Sequence, residues 1–119
     1  VCVDVSFGRS FCENEPTAGT LGEGPMIGAA PVLSADVTRA LEEAAKAQGI
    51  PYQFEGMGGK TSTNADMISV SKTGVPCGLV SIPLRYMHTA AEVVCLRDVE
   101  NTARLLAAYI LRKGGGGHA

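Results

Sequence analysis

The sequence predicts an α/β fold, a layered mixed sheet covered by helices. Short apolar runs of strand length recur at residues 1–7, 25–30, 50–55, 77–82 and 92–96. Between them lie stretches with apolar residues three and four apart, opened by hydroxyl or acidic capping residues. Glycine, proline and asparagine punctuate the junctions, which keeps each element short. At 119 residues, with 45% apolar and 18% charged side chains, the chain is long enough for one buried core.

Each element has its own local signal. Residues 1–7 alternate apolar and polar around Asp4 and read as a strand that ends at Gly8. Residues 8–24 lack periodicity and read as a loop. After the apolar run 25–30, Ser34 and Asp36 open a helix with Val37, Leu41, Ala44 and Ala45 on one face, closed by Gly49. A strand over 50–55 and a glycine-rich turn over 56–62 follow, then a short helix over 64–72 capped near Thr63 or Asn64. The run 77–82 is the most apolar strand, 84–91 a loop, and 92–96 a last strand. Asp98 is expected to cap a closing helix over 99–113, with Arg112 and Lys113 in its last turn. The chain thus reads as one segment, 1–113, and a disordered glycine-rich tail, 114–119.

Composition excludes several classes of function. A net charge of −2 with dispersed basic residues leaves no footprint for nucleic acid. No apolar run approaches the length of a membrane span, and the first residues lack the character of a signal peptide. The chain opens on Val1 rather than methionine and reads as starting in mid-stream. None of the four cysteines, Cys2, Cys12, Cys77 and Cys95, forms a CxxC pair, and the apolar surroundings of three of them suggest buried free thiols. A reducing, cytoplasmic setting follows.

Two residues stand out chemically. Asp4 is a carboxylate inside an otherwise apolar strand, where it must meet solvent, a cation or a metal. His88 follows a buried strand on the kind of loop where α/β sheets bind ligands, although a lone histidine also serves as a structural hydrogen-bonder. The stretch around Gly59-Lys60-Thr61 is not a phosphate loop, because position 54 is Phe where that motif needs glycine. Glu13, Glu15 and Glu23 share a loop with nothing that arranges two of them as a glycosidase pair, and His118 lies beyond the glycine run.

Three stretches carry a resemblance. They are Val3-Asp4-Val5-Ser6-Phe7-Gly8-Arg9, Gly22-Glu23-Gly24-Pro25-Met26-Ile27-Gly28 and Ser81-Ile82-Pro83-Leu84-Arg85-Tyr86-Met87-His88-Thr89. In this order and spacing the chain resembles the glutamyl and tetrahedral aminopeptidases, dinuclear metallopeptidases often labelled cellulases or endoglucanases. The likeness continues through Glu92-Val93-Val94-Cys95-Leu96-Arg97-Asp98 into the last helix and covers the carboxy-terminal part of a catalytic domain. It implies two divalent ions, zinc or cobalt, with Asp4 a ligand to one and His88 a ligand to the other. The other ligands and the general-base glutamate precede this segment in the family order, so no catalytic base is assigned here.

Two departures fall near the active-site side of that pattern. Ser62-Thr63-Asn64-Ala65 stands where Gly-Thr-Asp-Ala is usual, and Pro31-Val32-Leu33-Ser34 where Pro-Asn-Leu-His is common. A dinuclear hydrolase needs an activated water, a base and two held ions, and one ligand per ion is too few. The expectation is a segment of a peptide-cleaving aminopeptidase, inactive and without bound metal alone. Its partners would be copies of itself or the missing half. The alternative is a non-catalytic α/β module that keeps the fold as an interaction or structural protein.

Overall fold

A computed structural model describes residues 1–11 and 15–115. Cys12, Glu13 and His118 lie outside them. The order of elements is β1 (Cys2–Phe7), β2 (Met26–Ala29), α1 (Ala35–Ala47), β3 (Gln53–Gly56), α2 (Asn64–Ser69), β4 (Leu79–Arg85), β5 (Val93–Val94) and α3 (Leu96–Gly115). The sheet runs β1-β4-β2-β3 and is mixed. β1 is parallel to β4, β2 antiparallel to β4, and β3 parallel to β2. β5 pairs antiparallel with β4 at Leu84 and Arg85.

The pleat sorts side chains onto two faces. Ile27 of β2 and Val80 of β4 are cross-strand partners, and they pack with Leu41, Ala44 and Ala45 of α1 and Leu105 of α3. Leu41 is fully buried there, and burying such a side chain stabilises by about 1.5–3 kcal/mol. The opposite face carries Leu79, which packs with Leu33, Ala65 of α2 and Cys77, with Cys2 and Met57 against them. Helices therefore cover both faces, and β1 forms one edge of the sheet.

Local chemistry places the helix ends. The Ser34 side chain accepts from Val37 N–H to cap α1, and Thr63 does the same for α2 through Ala65 N–H. After α1, Gly49 takes φ +62°, and Ile50 N–H returns to the Ala45 carbonyl. That return, followed by Pro51, delays the strand expected from residue 50 to Gln53. The expected strand at 92–96 shrinks to two residues, because Leu96 already belongs to α3.

The expectation for Asp98 needs correction. The Cys95 carbonyl receives the first helical N–H groups, from Asp98 and Val99, so α3 starts before Asp98. The Asp98 carboxylate is fully buried and accepts from Gly22 N–H at 2.8 Å and Gly24 N–H at 2.9 Å. It ties the helix to the loop entering β2. Gly24 sits at φ +95°, and a Cβ there would meet the Pro51 carbonyl oxygen at 2.1 Å, so only glycine fits. At its other end α3 continues through Gly114 and Gly115, past the expected end at Lys113.

Candidate functional site

β1 and the turn after β4 build one cleft. In a parallel pair the backbone groups of alternate residues face the neighbouring strand. The bonds Cys2 N–H to the Gly78 carbonyl and Gly8 N–H to the Leu84 carbonyl set that alternation. It directs the backbone groups of Asp4 and Ser6 to β4 and those of Val3, Val5 and Phe7 outward. Asp4 is exposed, and its Oδ1 accepts the outward Val5 N–H at 2.8 Å, leaving Oδ2 free of that contact.

His88 reaches the same place from the β4–β5 turn. Its backbone is left-handed, φ +62°, and its N–H donates to Glu92 Oε1 at 2.8 Å. Although 84 positions apart, Asp4 and His88 line one open cleft of about 370 Å³. The other lining residues are Val5, Ser6, Phe7, Thr61, Ser62, Thr63 and Met87. A larger hollow of about 450 Å³ between the end of α1 and α3 is lined by Gln48, Arg104, Arg112 and apolar residues and brings no acid or imidazole together.

Asp66 shapes the rim formed by residues 61–63. Its carboxylate accepts from Thr61 N–H and Thr61 Oγ1, both at 2.7 Å, and from Ser62 N–H at 2.8 Å. The Thr61 amide above all holds the Asp66 carboxyl below the usual carboxylate range, partial burial opposes it, and nearby Lys60 helps. Ser62 is left-handed at φ +59°, at the position where the resemblance expects glycine.

Sequence reasoning passed over several of these residues. Ser6 lies two residues beyond Asp4 and shares its face of β1, so strand period alone could have marked it. Its hydroxyl donates to Glu55, a buried carboxylate on β3 whose second oxygen has no partner within the described structure. Nothing in the local sequence joins Ser6 to Glu55, 49 positions away. Thr61 and Ser62 read as part of a turn and Thr63 as a helix cap, although the resemblance put Ser62 and Thr63 near the active-site side.

Among the described residues, no cysteine lines the cleft. Cys2, Cys77 and Cys95 are free thiols, but only Cys77 is fully buried, contrary to the expectation for all three. Burial first, then neighbouring Cys77, pushes the Cys2 thiol up.

This layered mixed sheet is the fold of aminopeptidase catalytic domains. An aminopeptidase from the archaeon Desulfurococcus kamchatkensis matches it with a TM-score of 0.80 at 33% identity, over 91% of this chain and 32% of that one. The TET1 peptidase of Pyrococcus horikoshii, described as assembling into a tetrahedron or a large octahedral shell, matches with a TM-score of 0.65 at 26% identity, over 89% and 31%. The lysyl aminopeptidase of Pyrococcus furiosus is 32% identical over 110 residues, 92% of this chain and 32% of its own length. The model of the M42 glutamyl aminopeptidase family matches residues 1–105, and the chain belongs to that family. It spans about a third of the length of the curated relatives it matches.

The family implies metal. Among the described residues, no three of His, Cys, Asp and Glu stand close enough to hold one ion. The described residues therefore do not form a metal centre by themselves, and Asp4 and His88 amount to two separate candidate ligands.

Proposed function

We propose that this chain is a segment of a metal-dependent aminopeptidase that removes amino-terminal residues from peptides. In this reading Asp4 supplies a ligand to one divalent ion, zinc or cobalt, and His88 a ligand to the other. The observation that carries it is the meeting of Asp4 and His88 on one cleft. A solvent-facing aspartate and a structural histidine could lie anywhere on the surface, whereas ligands of paired ions, themselves about 3.5–4 Å apart, must converge.

The chain's own residues set positions rather than perform chemistry. Val5 N–H orients Asp4, and the clamped 61–63 rim lines the same cleft as His88. A general base is not among them, so the isolated chain is inactive. Homo-oligomeric assembly is part of the proposal, supported by the assemblies described for the Pyrococcus horikoshii relative. A reducing cytoplasm is supported by the three free thiols, and no helix in the described residues is long and apolar enough to cross a membrane.

The test is a purified chain assayed on amino-acyl chromogenic substrates with added zinc or cobalt, alongside NMR with cobalt. No turnover is expected and no ion should be held, but cobalt at high concentration should still broaden Asp4 and His88 resonances through transient single-ligand contact, an effect lost in Asp4→Asn and His88→Ala. Chelator-sensitive turnover by the chain alone, or broadening centred elsewhere, would sink the reading.

A further inference from the structure

The turn that carries His88 is bent against local preference. Tyr86 and His88 both take left-handed backbone, at φ +60° and +62°. Histidine enters that region more readily than most residues and tyrosine does not, so such a turn persists only where its surroundings hold it. Two sets of contacts do so. The Thr89 N–H and hydroxyl both donate to the Tyr86 carbonyl. The His88 N–H donates to Glu92 Oε1 at 2.8 Å.

Glu92 is well placed for this task. The next residue, Val93, opens β5 and pairs with Arg85, the last residue of β4. Strand pairing thus brackets the turn at both ends, and Glu92 reaches back from the bracket to the N–H of His88. A bond from an amide to a carboxylate is charge-assisted and stronger than one between neutral groups. Without that acceptor, only the Thr89 contacts to the Tyr86 carbonyl would remain to hold left-handed His88. Rotation of the backbone there would swing the imidazole off the cleft wall.

We propose that Glu92 is a positioning residue: by accepting the His88 N–H it holds the left-handed turn that keeps His88 on the wall of the Asp4 cleft. The proposal deepens the metallo-aminopeptidase reading and rests on it for its purpose, but the contact itself is defined without an ion. Glu92 is exposed, so replacing it leaves both cores untouched.

The experiment compares Glu92→Ala and Glu92→Gln with the unaltered chain by NMR, first with no metal added. Glutamine keeps an acceptor oxygen where alanine has none. In Glu92→Ala the His88 amide should exchange about ten-fold faster. Nuclear Overhauser contacts between the imidazole and its neighbours on the cleft wall should also disappear. Glu92→Gln should retain most of the protection and all of those contacts. Unchanged exchange and contacts in Glu92→Ala would overturn the proposal, as would a glutamine variant that behaves like alanine. Cobalt is added only afterwards. Failure of cobalt at high concentration to broaden His88 even by transient contact would count against the metal-ligand reading and leave the metal-free result standing.

Discussion

Asp66 illustrates how one side chain shapes the cleft without lining it. Its carboxylate gathers Thr61 N–H, Thr61 Oγ1 and Ser62 N–H, and those bonds exist in full only while it is ionised. The Thr61 amide, ahead of the smaller contributions, lowers its pKa from the ordinary 3.8. A depressed folded pKa means that the stabilisation is fully present above the unfolded value. It is lost as pH falls through the folded one. The Thr61 and Ser62 amides should therefore stay protected from neutral pH down into the acid range and then lose protection together. Hydrogen exchange followed through an acid titration would detect this step, and Asp66→Asn should abolish it. A step that survives in the asparagine variant would assign the titration to another group.

Among the elements, α3 depends on a contact that its own periodicity does not reveal. Asp98 sits in its first turn, but its carboxylate satisfies Gly22 and Gly24 in the loop before β2. Both glycines are left-handed, at φ +90° and +95°, so this loop has little freedom to find other acceptors. Asp98→Ala would leave those amides without their acceptor and should destabilise the chain by about 2–4 kcal/mol. Asp98→Asn retains one acceptor oxygen and should lose less. Urea denaturation would read the difference as a shift in midpoint at unchanged slope. A change below about 0.5 kcal/mol for alanine would mean that the contact contributes little.

For the molecule as a whole, β1 decides behaviour in solution. Val3, Val5 and Phe7 share one face of this edge strand and remain 47%, 40% and 37% exposed. Along the outer edge, Asp4 occupies the Val5 N–H, and Gly19 N–H occupies the Phe7 carbonyl. The outward groups of Val3 and the Val5 carbonyl have no such guard among the described contacts. An edge with open backbone groups and an apolar face invites pairing. Self-association should appear at modest concentration and weaken when Val3→Lys and Val5→Thr are combined. Light scattering over a concentration series would measure it. A strictly monomeric species at high concentration would argue that the β1 face needs no cover, and so against the segment reading.

The kinds of element, their order and the family are written in the order of the amino acids. Alternation, 3–4 spacing, the caps at Ser34 and Thr63 and the closing glycine at 49 act over a few residues, so they are legible along the chain. The block from Ser81 to Thr89 carried the family in the same local way. Boundaries were less legible where a distant partner competed. Asp98 looked like a cap because the pull of Gly22 and Gly24, more than 70 positions away, leaves no local mark. The same holds for Ser6 and Glu55, 49 positions apart. That Asp4 and His88 share a cleft was decided by tertiary structure, because it depends on β1 lying parallel to β4 and on the direction of the turn beyond Arg85. Strand order and crossover direction are properties of the packed sheet, and no short-range pattern encodes them.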